Sequence, residues 1–224
     1  YVWYSLEHIS SPTLRELYLF LESDQIFWNN IFNRVFEVLD EFKNTHDLGV
    51  RFFEKLSIKN RLRFSQLPKQ YQDESFLTIF EEACQNTKTV SDSFFHGDMC
   101  FSNIFYNPTT SEIKLIDPHG DISGNILYDY AKFMSSVIYN YDFIDAELYV
   151  KTNNEYNLFN SGKEEIKELF IKKIKNKFDN ETLNFIRLVT SSLFLTMIPL
   201  HNHNPTNQEL YYDCYKKARK DSGF

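Results

Sequence analysis

The chain has 224 residues, of which 42% are hydrophobic, and this is enough for one domain with a well-packed core. Its net charge of −7 argues against a nucleic-acid partner, and the lack of an apolar run near the roughly 20 residues that cross a bilayer argues against a membrane protein. The three cysteines are widely spaced and form no Cys-x-x-Cys pair, so we expect no disulfide and a reducing, cytoplasmic location.

The first ten residues predict a strand that runs into a linker. Tyr1 to Ile9 is rich in aromatic and branched residues, and its opening residues are typical of the middle of a strand. We therefore expect the chain to be a fragment of a longer protein. It contains six glycines and no Gly-x-Gly cluster, so the sequence holds no recognisable Gly-rich phosphate loop.

Most of the remaining chain predicts helices, because apolar residues recur at intervals of three and four. The first helix is capped by Ser11 or Thr13. The other predicted elements are, in chain order, helices over Asp24–Thr45, 50–70, Asp73–Asn86 and Leu127–Tyr141, a hairpin of Ala146–Val150 with Glu155–Phe159, and helices after Gly162, over Leu183–Ile198 and over Asn207–Lys220. The predicted fold class is α+β and mainly helical.

The segment from 50 to 70 mixes aromatic residues with basic ones. The basic residues are Arg51, Lys55, Lys59, Arg61 and Arg63. In an acidic chain this pattern favours a solvated helix face, and contact with an anionic acceptor is the alternative.

The stretch from Phe94 to Gly120 contains three short apolar runs, and these predict a small sheet around polar loops. The runs are Phe94-Phe95, Ile104–Tyr106 and Ile113–Ile116. A catalytic loop over 94–120 is therefore the centre of the predicted site.

Three polar side chains of this stretch have the spacing of a phosphoryl-transfer site. Asp98 follows His96-Gly97, Asn103 lies five residues later, and Asp117 comes directly after the third apolar run. Phosphoryl transfer depends on positioning and charge neutralisation, so it needs a carboxylate for the attacking hydroxyl and oxygen ligands for magnesium. Asp98 suits the first role, and Asn103 and Asp117 suit the second.

Taken alone, the His-Gly-Asp triplet could be an ordinary turn. Taken alone, Asp117 could be no more than a strand end. The combination with Asn103 in register and with Tyr128-Asp129-Tyr130-Ala131 at a helix start favours catalysis.

With these residues the sequence resembles the aminoglycoside phosphotransferase and choline kinase family. The resemblance covers His96-Gly97-Asp98-x4-Asn103, Ile116-Asp117 and the 128–131 motif, and Cys100–Asn103 with Asp117-Pro118-x-Gly120 is similar to bacterial members associated with surface polysaccharides. It implies the large lobe of a protein-kinase-like fold over 11–224, with residues 1–10 as the remnant of a small-lobe strand and hinge. Gly97 in place of the kinase arginine, and Asp-Pro-His in place of Asp-Phe-Gly, point away from protein substrates.

The resemblance also implies roles for individual residues. Asp98 is expected to be the catalytic base, with Mg²⁺ bound by Asn103 and Asp117, and Asp129 is expected to brace the loop by accepting hydrogen bonds from backbone amides. A carboxylate that only interacts with the helix dipole is the alternative for Asp129. His96 is expected to be structural.

Further contacts are expected by position alone. The hinge residues Leu6, Glu7, His8 and Ile9 are candidates for contact with the nucleotide base, and an ordinary edge strand is the alternative. His119, His201 and His203 are candidates for contact with the acceptor. For His119, contact with phosphate and an ordinary turn histidine are the alternatives. A zinc site at His201 and His203 is the weaker alternative, because no cysteine or carboxylate accompanies the pair.

Taken together, the sequence predicts an ATP- or GTP-dependent, magnesium-dependent kinase that phosphorylates a hydroxyl of a small molecule, most plausibly a sugar. A catalytically inactive kinase-like domain that binds a ligand or acts as a scaffold is the alternative. Because the small lobe is missing from the sequence, we expect the chain alone to transfer phosphate feebly.

Overall fold

The computed structural model describes residues 7–43, 51–86, 91–120, 123–153 and 155–224. Helices dominate these ranges, so the predicted α+β, mainly helical class is confirmed. The helices are α1 Leu14–Phe20, α2 Gln25–Lys43, α3 Phe52–Phe64, α4 Glu74–Asn86, α5 Ile126–Val137, α6 Tyr141–Asp145, α7 Glu164–Lys177, α8 Asn180–Met197 and α9 Pro205–Ser222. Short 3₁₀ turns cover Lys69–Tyr71, Phe101–Asn103 and Ile198–His201.

The strands are short and pair two by two. They are β1 Ser93–Phe94, β2 Ile104–Tyr106, β3 Ile113–Leu115, β4 Ser123–Gly124, β5 Tyr149–Thr152 and β6 Glu155–Leu158. Antiparallel pairs form between β1 and β4, β2 and β3, and β5 and β6. The predicted hairpin is thus present, shifted three residues at its first strand because α6 and a left-handed Glu147 occupy the residues before it.

The small sheet that the sequence predicts around the loop is present as two separate pairs of strands. β2 pairs with β3, and β1 pairs with β4, with Phe94 opposite Ser123. Gly124 allows this pairing, because a Cβ at that position would lie 2.6 Å from the ring of Phe95. Two separate ladders therefore hold the loop, one at each end.

The helix caps follow local sequence signals. Of the two candidate caps of α1, Thr13 is the one used: its Oγ1 accepts a hydrogen bond from the N–H of Glu16, whose carboxylate accepts one from the N–H of Thr13. The side chain of Asp179 caps α8 by accepting a hydrogen bond from the N–H of Thr182, and that of Asn125 caps α5 by accepting one from the N–H of Leu127.

The core lies around α8, which packs mainly against α9 and α5. Together with the following 3₁₀ turn, Asn180–His201 is long and apolar enough to cross a membrane, which the sequence analysis did not anticipate. About 72% of its apolar window is buried inside the protein, as the central helix of a folded core would be.

Helix α5 is buried on nearly all sides, whereas the sequence predicted a single apolar stripe. Phe133, Ser135 and Ser136 are buried along with the stripe residues, and Asp129 is fully buried. The predicted helix also ends early, at Val137, because the left-handed Asn140 separates α5 from α6.

The strand predicted at the N-terminus is not found in residues 7–9, which are the part of it that the structure describes. Glu7 to Ser10 have no regular structure, and residues 1–6, with Leu6 among them, lie outside the described residues. Pro12, a little further along the chain, lies beside β2: its carbonyl oxygen accepts a hydrogen bond of 3.0 Å from the N–H of Tyr106.

Candidate active site

The loop that joins β1 to β2 is held by a buried carboxylate. The N–H groups of His96 and Gly97 donate hydrogen bonds to Oδ2 and Oδ1 of Asp129, each at 2.7 Å. Burial raises the pKa of Asp129 to about 7, although the two amide hydrogen bonds lower it. The contact expected of Asp129 is therefore present, and because the side chain is buried it is more than a charge at an exposed helix end.

Gly97 lets a second segment approach this loop. Its φ is +81°, which favours glycine, and a Cβ there would lie 2.4 Å from the Cβ of His119. The N–H of His119 donates to the carbonyl oxygen of His96 at 2.7 Å. The segment that carries Asp117 is thus attached to the loop that carries Asp98.

Asp98 is half-buried and held by two partners. Its Oδ2 accepts a hydrogen bond of 2.9 Å from Nδ2 of Asn103, and its Oδ1 lies 3.0 Å from Nζ of Lys132. Asp98, Tyr128 and Cys100 raise the pKa of Lys132 even though burial opposes that rise, so Lys132 is a cation at neutral pH. A carboxylate with two fixed partners has one preferred orientation, as a general base requires.

Asn103 and Asp117 are brought together by the β2–β3 pair. The N–H of Ile116 donates to the carbonyl oxygen of Asn103 at 3.1 Å, directly beyond the pairing of Ile104 with Leu115. Asp117 follows in a left-handed conformation with φ +55°, and its side chain is exposed. Such a conformation is uncommon outside glycine, asparagine and aspartate, and it recurs at functional sites.

The donor atoms of these two residues suit a hard divalent cation. Nδ2 of Asn103 is used by the carboxylate and by the backbone oxygen of Asp98, and Oδ1 accepts no hydrogen bond from the described residues. The amide oxygen of Asn103 and the carboxylate of Asp117 are therefore oxygen donors of the kind that Mg²⁺ prefers. Within the described ranges, no group of three or more His, Cys, Asp or Glu side chains could hold a metal ion by itself.

His96 is buried beside the loop. Its Nδ1 accepts from the N–H of Asp98 at 3.3 Å, which leaves the proton on Nε2. Burial lowers the pKa of His96, while the backbone of Ile116 and the carboxylates of Asp98 and Asp117 oppose that shift. Nε2 of His96 makes no hydrogen bond with the described part of the chain. The Ile116 backbone therefore opposes the shift through a contact that does not meet hydrogen-bond geometry.

A cleft of about 430 Å³ opens in front of Asp98 and Asp117. Its lining includes cationic side chains of α3 and α5 and residues from the end of α8. The lining residues are Lys59, Arg63, Gly97, Asp98, Asp117, Pro118, His119, Tyr128, Lys132, Tyr141, Leu193, Thr196, Met197, Leu200 and His201.

The structure brings some of the predicted contact residues to this cleft and not others. His119 and His201 line it, whereas His203 does not. Burial lowers the pKa of His201, whose ring centroid lies 5.8 Å from that of His203.

The predicted hinge residues lie elsewhere. Glu7, His8 and Ile9 line a separate depression of about 120 Å³ beside Phe105 and Lys114, and it shares no lining residue with the cleft. Leu6, the fourth hinge candidate, lies outside the described residues.

Sequence reasoning missed Lys132 as a site residue, and it favoured a solvated face for Lys59 and Arg63. Lys132 lies one helical turn after Asp129, so a search for polar residues on the same face of α5 would have found it. Lys59 and Arg63 carried a weaker signal, four residues apart on α3, and only the packing of that helix places them at the cleft.

Comparisons with known proteins add nothing to this geometry, because no family model, curated protein or solved structure matches the chain. Any assignment of function therefore depends on the residues of the site.

Proposed function

We propose that the chain is the large lobe of a protein-kinase-like phosphotransferase that transfers a nucleotide γ-phosphate to a hydroxyl group of a small molecule, most plausibly a sugar. The observation that supports it best is the arrangement of Asp98. Its carboxylate is held by Asn103 and Lys132 on a loop braced by Asp129, and it faces a cleft large enough for a small molecule.

Each residue has a distinct part in this proposal. Asp98 orients the acceptor hydroxyl and accepts its proton as the oxygen attacks the γ-phosphorus, whose bond to the β–γ bridging oxygen breaks so that the nucleoside diphosphate leaves. Asn103 and Asp117 would hold Mg²⁺, which would neutralise charge on the nucleotide phosphates. Lys132 keeps Asp98 in place, and the apolar end of α8 limits access of water.

The family named from the motif is part of the same proposal. Gly97 is supported here on steric grounds, because a larger residue would collide with His119. The kinase arginine therefore has no room at this position, and a cytoplasmic small-molecule kinase fits the site better than a protein kinase does.

The test is phosphoryl transfer from γ-labelled ATP and GTP with magnesium, measured with the full-length protein against panels of sugars and amino-alcohols. We expect transfer to one class of hydroxyl compound, and we expect the Asp98→Asn variant to lose it. Saturable nucleotide binding with equal turnover in both proteins would instead indicate a binding or scaffold domain.

A further inference from the structure

The cleft in front of Asp98 contains more cationic than acidic side chains, although the whole chain has a net charge of −7. Lys59, Arg63 and Lys132 line it against Asp98 and Asp117. A second depression, between β6 and α9, is lined by Glu155, Glu209 and Asp213 and by no cation. A cationic cleft is therefore a local property of this site.

We propose that the acceptor carries a negatively charged group, a phosphate or a carboxylate, and that Arg63 and Lys59 bind it. This inference depends on the proposed phosphotransferase function, and it names the class of acceptor as an anionic hydroxyl compound such as an acidic or phosphorylated sugar.

Arg63 is the main reason. It is half-buried, and it makes no hydrogen bond or ion pair with the residues that the structure describes. Arg61, two residues earlier on α3, is exposed and pairs with Glu81 across the gap to α4. A guanidinium that has lost water and has no acceptor is stabilised by a carboxylate or phosphate, which it can bind through two parallel hydrogen bonds.

The remaining charges of the cleft have partners within the proposed mechanism. Lys132 lies 3.0 Å from Asp98, and the Asp117 carboxylate is assigned to magnesium. Lys59 lies one helical turn before Arg63, so both cations face the cleft from the same side of α3. Arg63 is thus the charge of the cleft that an acceptor can use, and Lys59 adds positive charge beside it.

Arg63 lines the same cleft as Tyr128 and Asp98. A small molecule in that cleft can therefore place an anionic group at Arg63 and a hydroxyl at Asp98.

The part of the lining that comes from the end of α8 and the turn after it suits a compact organic molecule. Leu193, Met197 and Leu200 contribute apolar surface, and Thr196 and His201 contribute hydrogen-bonding groups. An apolar wall with a few polar groups suits the faces and hydroxyls of a sugar ring, and the α3 cations add the anionic specificity.

The phosphates of the nucleotide are the other possible source of the anion. The predicted hinge residues Glu7 to Ile9 lie at a separate depression that shares no lining residue with the cleft. If the hinge prediction holds, the nucleotide base lies outside the cleft, and this favours the acceptor as the molecule that meets Arg63. The experiment needs one arm for each source.

The first arm is a titration of the 224-residue chain with inorganic phosphate, followed by amide chemical shifts. We expect saturable binding whose dissociation constant rises about tenfold or more in Arg63→Gln and in Lys59→Gln, because each loses a charged hydrogen-bond donor. Arg61→Gln is the matched control on the same helix, and we expect a change below about twofold. Circular dichroism checks that each variant is folded. If Arg63→Gln does not fold, Lys59→Gln provides the test in its place.

The second arm is the affinity of the same proteins for the non-hydrolysable ATP analogue AMP-PNP with magnesium. Unchanged nucleotide affinity in Arg63→Gln, together with weakened phosphate binding, supports the acceptor assignment. A parallel loss of both affinities would show that α3 binds the phosphates of the nucleotide and would overturn the proposal, as would phosphate binding that neither substitution weakens.

The proposed function can fail separately. If Asp117→Asn leaves magnesium-dependent nucleotide binding intact while Arg63 still controls phosphate binding, the anion site is real and the phosphotransferase assignment is wrong. If Asp117→Asn weakens nucleotide binding and Arg63→Gln changes nothing, the function stands and the anionic acceptor is wrong.

Discussion

The backbone N–H of His119 donates a hydrogen bond of 2.7 Å to the carbonyl oxygen of His96. Asp98 lies two residues after His96, and Asp117 lies two residues before His119. The two candidate acids are therefore positioned relative to each other by main-chain contacts, which are less mobile than an arrangement of long side chains.

Substitution of Gly97 by alanine should break this junction. The Cβ would collide with His119, and a φ of +81° strains any residue other than glycine. We therefore expect the unfolding free energy to fall by about 1–3 kcal/mol. We also expect the rate of phosphoryl transfer to fall, because the loop that carries Asp98 is displaced. Chemical denaturation and transfer assays measure both.

Two other glycines separate the causes. Gly162 has a φ of +77°, and a Cβ there would have no neighbour within 4 Å, so Gly162→Ala reports backbone strain alone. Gly120 has no strained φ and no such neighbour, so Gly120→Ala should have little effect. If Gly97→Ala were no more harmful than Gly162→Ala, the close approach of His119 would have no role.

Substitution of Asp98 by asparagine should remove the proposed base and leave the fold intact. The amide keeps the size and one acceptor oxygen but cannot take a proton, so we expect transfer to fall by about 10²–10⁴. The melting temperature should change little, since Asp98 is only half-buried. Asp213→Asn on the exposed part of α9 is the control, and equal turnover of Asp98→Asn and wild type would exclude Asp98 as base.

Substitution of Asp117 by asparagine tests the magnesium site without straining the chain. Asparagine tolerates the left-handed conformation at φ +55° that alanine does not, so a change reports the lost charge. We expect the magnesium concentration for half-maximal nucleotide binding to rise about tenfold or more, and to rise less in Asn103→Ala, because a carboxylate binds the ion more strongly than an amide. Isothermal titration measures it, and an unchanged magnesium dependence in Asp117→Asn contradicts the assignment.

Removal of the Asp129 carboxylate should loosen the loop. Asp129→Ala leaves the buried N–H groups of His96 and Gly97 without an acceptor, and we expect a loss of roughly 2–4 kcal/mol of unfolding free energy. Asp129→Asn keeps one acceptor oxygen and should fall between alanine and wild type. A carboxylate that only interacts with the helix dipole would cost about 1 kcal/mol or less, and that result would contradict the bracing role.

Asp142 should make stability depend on pH. It is fully buried in α6, neither oxygen meets hydrogen-bond geometry with the described residues, and burial raises its pKa to about 7 although Ser136 and Arg15 lower it. Because this pKa lies above the ordinary value of 3.8, the folded state keeps its proton to a higher pH than the unfolded chain. Its contribution to stability is therefore fully present below about pH 4 and is lost as the pH rises towards 7.

We expect Asp142→Asn to reduce the decrease in unfolding free energy between pH 5 and pH 7 by about 1–3 kcal/mol. Urea denaturation at several pH values measures it. The pKa of Asp129 is also raised, and Asp129 is present in both proteins. The unfolding free energy of Asp142→Asn should therefore still decrease with pH, but with a smaller slope than that of the wild type. Asp213→Asn is the exposed control, and identical slopes in Asp142→Asn and wild type would show that this carboxyl is ionised throughout.

The local patterns of the sequence were sufficient for much of the fold. Amphipathic spacing predicted most of the helices, and the Thr13 capping box and the β5–β6 hairpin follow from contacts between residues close in the chain. The spacing of Asp98 and Asn103 was informative for the same reason, because five residues of loop determine whether the two side chains can meet.

The tertiary structure decided what depends on residues far apart in the chain. The pairing of β1 with β4 required Gly124 to approach Phe95, and the burial of Asp129 required helices to surround α5 on all sides. Periodicity indicates which face of a helix is apolar, but it does not indicate which other segments will cover the opposite face.

The same limit applies to the cleft. The sequence predicted Asp98, Asn103 and Asp117 because their spacing is that of a phosphoryl-transfer site, and it named Arg63 and Lys59 only as a basic stretch. Whether such a stretch is a solvated surface or a binding wall depends on which helix packs beside it and which cavity it faces. That is set by long-range packing, and here it brings the charges of α3, the end of α8 and the loop that carries Asp98 to one cleft.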